Sequence, residues 1–189
     1  MTRMLTPTLV LLLLAGCAAT PAQRVDTPRT EGPDKSYTVD LPTGWIKQTA
    51  SDHKALLVSR NGFLLEVIVF TRRSLKEAFP RSKKAATAEM LPAELAELEI
   101  AETKLQDQFT AALNVLQNEP AEISGAEGYK LRMSYRNARG LEIQREVYGF
   151  ADKSAYYRVH FTAPKLYYFD TYYPEFEKTV ASFKAAGKG

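Results

Sequence analysis

The apolar residues of this chain change their spacing three times, and that excludes an all-helical, a coiled-coil or a repeat architecture. Near the start of the body, Tyr37, Val39 and Leu41 alternate with Thr38 and Asp40, the period of a half-buried strand. Pro42-Thr43-Gly44-Trp45 then supplies a tight turn and an aromatic plug. Leu56-Leu57-Val58 leads through Asn61-Gly62 into the run Phe63 to Thr71. Asn-Gly tolerates the left-handed dihedrals of a two-residue turn, so this segment predicts a hairpin.

From Leu91 onward the spacing becomes helical. Leu91, Leu95, Leu98, Leu105, Phe109 and Leu116 fall on one stripe, with Glu94, Glu97, Glu99, Lys104 and Asp107 mostly elsewhere around the axis. Pro92 suits the first turn, where a missing N–H costs little, and residues 75–90 predict a shorter, less regular helix. Alternation returns at Tyr129, Leu131, Met133 and Tyr135, and continues through Leu141 to Phe150 and Ala155 to Phe161. Asn137 to Gly140 and Asp152-Lys153 are the connecting loops, which makes an antiparallel meander. After Pro164, the residues Tyr168, Tyr172, Phe176, Val180 and Phe183 recur at helical spacing. The expectation is one α+β domain over residues 36–186, with helices covering an antiparallel sheet and a tail at 187–189.

A single cysteine accompanies this body, and it lies outside it, in Leu14-Ala15-Gly16-Cys17. Met1-Thr2-Arg3 and the apolar stretch Leu5 to Leu14 precede it, too short to remain as a spanning helix of about 20 residues. The segment resembles a bacterial lipobox, which implies a signal peptide at 1–16 and a diacylglyceryl-modified Cys17 as first mature residue. Ala18, rather than aspartate, favours the outer membrane, with the folded body in the periplasm. Residues 17–35, with Pro21, Pro28, Gly32 and Pro33, read as the lipidated cysteine and a flexible tether. No thiol is left for a disulfide, so the body must be held by its core. Removing residues 1–16 takes only Arg3 from the 25 basic residues, and 24 against 22 acidic ones is too balanced to indicate a nucleic-acid partner.

The segment from Tyr37 to Trp45, with the closing Phe176, Val180, Ser182 and Phe183, resembles the PsbP-like superfamily over residues 36–186. That resemblance implies an antiparallel sheet sandwiched between helical layers. It also implies accessory or protein-binding roles, as in a photosystem extrinsic protein, a nuclear-import Ran-binding protein and bacterial envelope lipoproteins. No functional residue of the Ran-binding members can be placed on this chain.

No catalytic constellation is evident. His53 beside Ser51 and Asp52 is a run of neighbours rather than a triad, and two distant histidines make a poor zinc site. His160 shares a strand face with Tyr156, Arg158 and Thr162, where an imidazole would serve a sheet-surface network or orient a ligand. Arg132, Glu142, Glu146 and Arg158 suggest cross-strand ion pairs or an anion contact. Tyr167-Tyr168-Phe169 and Tyr172-Tyr173 would bury Tyr168, Tyr172 and Phe176 and leave Tyr167 or Tyr173 at a rim. Gly125 to Gly128 lacks dinucleotide-loop spacing and reads as a hairpin turn, and Arg72-Arg73 and Arg81-Lys83-Lys84 as solvated basic runs. The reading is therefore a non-enzymatic envelope accessory module without cofactor or metal. It binds membrane lipid through Cys17 and an envelope protein through a sheet edge or aromatic rim. A small-ligand cleft formed jointly by Arg158, His160, Tyr167 and Tyr173 is the alternative, and a hydrolase a remote one.

Overall fold

The computed structural model describes residues 21–50, 54–106 and 113–186. Their strands are β1 (Gln23–Arg24), β2 (Arg29–Glu31), β3 (Tyr37–Asp40), β4 (Ile46–Thr49), β5 (Ala55–Ser59) and β6 (Val67–Arg73). After helix α1 (Pro92–Lys104) come β7 (Asn114–Ile123), β8 (Ala126–Arg136), β9 (Glu142–Ala151) and β10 (Tyr156–Pro164). Helix α2 (Asp170–Ser182) and β11 (Lys184–Ala185) close the chain. The main sheet is antiparallel throughout in the order β1-β4-β5-β6-β10-β9-β8-β7, and a small second sheet runs β11-β3-β2.

Alternation along the strands divides the apolar side chains between two layers. Phe70, Phe150, Tyr157, Val159 and Phe161 pack with Phe176 and Val180 of α2 and with Tyr37, Val39 and Phe183 of the small sheet and its approach. Tyr129, Leu131, Met133, Val147 and Tyr156 point the other way, to Leu95, Ala96 and Ile100 of α1 and to Phe79. Each face thus buries its own core, and the fold class is α+β with the antiparallel sheet flanked by helices, as the changes of period require.

Several boundaries differ from the expectation. Residues 23–31 are not tether: β1 pairs with β4, β2 pairs with β3, and Val25 is buried in the main core. A strand of two or three residues is too short for its alternation to show. Asn61-Gly62 does lie between paired strands, but the connection spans residues 60–66 instead of two residues. Buried Glu66 explains this, because its Oε1 accepts the backbone amides of Arg60 at 2.9 Å and Asn61 at 2.6 Å and so shapes a wider loop.

Residues 75–90 form one 3₁₀ turn at Leu75–Glu77 and an isolated bridge between Phe79 and Lys84, not a helix. Helix α1 ends at Lys104, and Leu116 stands half-exposed in β7, so its helical spacing is coincidental; Phe109 lies outside the described residues. The β7–β8 turn is Ser124-Gly125, with φ of 59° and 78°, between paired Ile123 and Ala126. Gly128 belongs to β8 itself. A Cβ there would sit 2.4 Å from the Gly149 carbonyl oxygen.

Candidate functional site

On the α1 face, a buried polar chain begins at Glu99. Helical spacing from Leu95 turns its carboxylate onto the sheet, where Arg158 of β10 donates from Nε at 2.9 Å and Nη2 at 2.6 Å to Oε1. Thr103 donates to the same oxygen at 3.2 Å, and the Tyr156 hydroxyl approaches Oε2 at 3.5 Å with the Tyr129 hydroxyl 2.5 Å behind it. Burial and then the Glu99 charge push the Tyr156 phenol far above the usual range. Arg158 Nη1 also lies 2.5 Å from His160 Nδ1. Burial, followed by Arg158 and Arg145, holds His160 well below the imidazole range, so the ring is neutral and accepts from the guanidinium. Arg145 of β9 donates to Thr162 at 2.8 Å and Gln106 at 3.1 Å. Burial pulls it down to about 10, still charged at neutral pH.

The α2 face has a separate polar centre. Glu146 of β9 is fully buried and accepts from Arg132 Nε at 2.5 Å and from the Tyr173 hydroxyl at 2.6 Å. Arg132 stands opposite Glu146 in register, and its guanidinium lies 4.6 Å from the Tyr173 ring centroid. The Tyr173 hydroxyl also lies 2.8 Å from Glu177, so its one proton is shared between two carboxylates, and burial, then these two carboxylates, raise its pKa far above the phenol range. Glu142 pairs instead with Lys165 at 3.4 Å.

The four residues expected to form one surface are therefore dispersed. Arg158 and His160 face α1, whereas Tyr173 belongs to α2 and reaches Glu146 on the opposite face of the sheet, so strand alternation forbids them a common cleft. His53 and Cys17 lie outside the described residues. Tyr167 is elsewhere again, in the irregular turn Lys165–Phe169 before α2, where it adopts φ 73° and ψ −58°. Tyr167 is 65 % exposed and Leu166 81 % exposed, beside half-exposed Leu141. With Arg136, Glu142, Lys165 and Asp170 they border a shallow depression of 480 Å³. A bulky residue at positive φ is strained, and such strain concentrates where a side chain is held for contact.

The other expected contact mode, the sheet edge, is obstructed at β7, one of the two edges of the main sheet. Edge strand β7 carries Pro120, a bulge between Val115 and Gln117, and Glu119 and Glu122, all of which discourage strand addition. Among the described residues no group of three His, Cys, Asp or Glu could hold a metal ion. No helix among them is long and apolar enough to cross a membrane.

Comparison with solved structures matches this architecture. Cyanobacterial PsbP (CyanoP) from Synechocystis sp. PCC 6803 aligns with a TM-score of 0.60 over 93% of this chain and 98% of its own, at 14% identity. The fold is PsbP-like. The Ran-binding protein Mog1p of Saccharomyces cerevisiae aligns with a TM-score of 0.56 at 11% identity, over 88% of this chain and 96% of its own. A Bacteroides thetaiotaomicron protein aligns with a TM-score of 0.56 and 11% identity over 87% of this chain, which spans 50% of that longer one. The sequence matches no protein-family model and no curated protein.

Sequence reading missed Glu99, Glu66 and Arg145 as buried anchors. For Glu99 the signal was present, since it stands four residues after Leu95 on the apolar stripe. Glu66 and Arg145 carried none, because a charge in a loop or an alternating strand is ordinarily solvated.

Proposed function

We propose that this chain is a non-enzymatic accessory module of the bacterial envelope, anchored to the periplasmic side of the outer membrane through lipidated Cys17, and that it binds a protein partner through the Leu166–Tyr167 rim. The observation that carries this reading is Tyr167, an exposed aromatic held at positive φ beside exposed Leu166 and Leu141. Glycine would adopt this φ without strain, and an exposed leucine contributes little to folding. Tyrosine at the centre of an apolar patch, rimmed by Arg136, Lys165, Glu142 and Asp170, has the composition of a protein-contact hot spot. The Ran-binding protein Mog1p, of the same fold, supports a partner-binding reading in general terms, and nothing in it identifies the partner here.

The test is chemical crosslinking of the native lipoprotein in membranes. Leu166→Ser with Tyr167→Ser should abolish a specific crosslinked species while leaving the unfolding free energy within about 0.5 kcal/mol of the parent value, as for exposed sites generally. A crosslinking pattern identical to the parent protein contradicts the assignment.

A further inference from the structure

The α1 helix packs on β7, β8 and β9, and a groove of 510 Å³ runs beside it along β6, β10 and part of β9. Its size is within the range of small-molecule sites. The residues of β6 that line it are Val67, Val69, Thr71 and Arg73, every second position along the strand. At the Val67 end stand Leu65, Ile143 and Pro164, beside Thr162 and Arg145; His160 stands opposite Val69 and Arg158 opposite Thr71, with Arg81 also in the lining. Six strand steps give a path of roughly 20 Å whose aliphatic side chains gather toward Val67, where the Arg145 guanidinium is already engaged by Thr162 and Gln106, while Arg73 stands at the other end.

The cations differ in how they are satisfied. Arg158 is matched by Glu99 at 2.6 Å and Arg81 by Glu102 at 3.8 Å. Arg145 is held by Thr162 and Gln106. Arg73, partly buried, has no hydrogen-bond or ion-pair partner among the described residues, and burial followed by the Arg158 charge lowers its pKa. A guanidinium whose charge is disfavoured by its surroundings gains most from an incoming anion, and its planar fork fits one carboxylate with two parallel N–H bonds.

We infer that this groove binds a single acyl chain bearing a carboxylate, with the head on Arg73 and the chain along Val69, Val67, Ile143 and Leu65. One available fork matches one carboxylate. A phosphate would seek several converging donors, and the Arg158 fork is already engaged by Glu99 and His160. Fully exposed Leu64, next to Leu65 at the groove mouth, extends the apolar path outward and has no other role in the fold. The site is on the α1 face, apart from the rim at Tyr167, so the two assignments stand or fall separately.

The test is calorimetric titration of the full chain carrying Cys17→Ala, so that no attached lipid competes, with sodium dodecanoate below its micelle concentration. One saturable site is expected. Arg73→Ala should weaken it about tenfold or more, the value of one charge-assisted hydrogen bond. Leu65→Asp, at a half-exposed position that is safe for folding, should weaken it comparably. Dodecyltrimethylammonium, with the same chain and the opposite head, should not bind, and acetate should not bind measurably. Absence of saturable dodecanoate binding, equal affinity for the cationic amphiphile, or unchanged affinity in folded Arg73→Ala and Leu65→Asp overturns the inference.

Discussion

Glu99, Arg158 and His160 show how a residue that resembles a ligand contact is first a structural one. Arg158→Ala leaves the Glu99 carboxylate, 1 % exposed, buried without its counter-charge. It should destabilise the fold by about 3–5 kcal/mol in urea unfolding, whereas Glu99→Leu combined with Arg158→Met should restore most of that loss. His160 makes stability pH-dependent. Its folded pKa is depressed, so below the unfolded value near 6.5 the unfolded chain takes up a proton that the folded chain refuses. Stability therefore falls with decreasing pH from about 6.5, by about 1.4 kcal/mol per unit, until the folded pKa is reached. His160→Gln should flatten that part of the difference curve between pH 7.5 and 5.5; an unchanged slope contradicts a neutral buried ring. At Tyr167 the expected trade-off is opposite in kind. Tyr167→Gly should relieve the positive φ and raise thermal stability by about 1 kcal/mol while losing the partner contact.

At the scale of elements, sequence legibility followed burial on one side. The β8–β9–β10 meander was readable because Leu131, Met133 and Val147 face α1 while their neighbours face α2, and α2 was readable from Phe176 and Val180. Strand β7 was not, because both its faces are largely exposed and Pro120 interrupts it. Of the candidate site, charged rows on neighbouring strands and an aromatic rim at Tyr167 or Tyr173 were legible, but which charges pair, which tyrosine is exposed and the sides taken by Tyr173 and Arg158 were not. Those depend on which strand face each helix covers, and spacing within one element does not encode it. The short strands β1 and β2 were equally hidden, and they carry a consequence. A chain beginning at Tyr37 lacks Val25 and Thr30, both buried, and the pairings to β3 and β4. It should unfold at lower denaturant than one beginning at Pro21, by about 2–4 kcal/mol for the lost apolar burial and strand contacts; equal midpoints would return residues 21–35 to the role of linker.

For the whole molecule, the earlier start of the folded body would shorten the proposed tether. Only residues 18–22 separate Cys17 from β1, a reach of at most about 22 Å when fully extended. A lipid on Cys17 would thus hold the domain against the membrane surface rather than let it range through the periplasm. Intact-mass analysis of membrane-extracted protein should find Cys17 as the first residue carrying acyl groups, and Cys17→Ala should release the chain from the membrane fraction; an unmodified terminus elsewhere contradicts the anchor. On the proposed function, the body presents the Tyr167 rim rather than the β7 edge to a protein. The most direct measurement places a photo-crosslinking amino acid at position 167 or at position 116 of β7 in the native lipoprotein and irradiates intact cells. A discrete envelope adduct from position 167, absent from position 116, is the expected result, and adducts from position 116 alone, or none from position 167, would contradict the account.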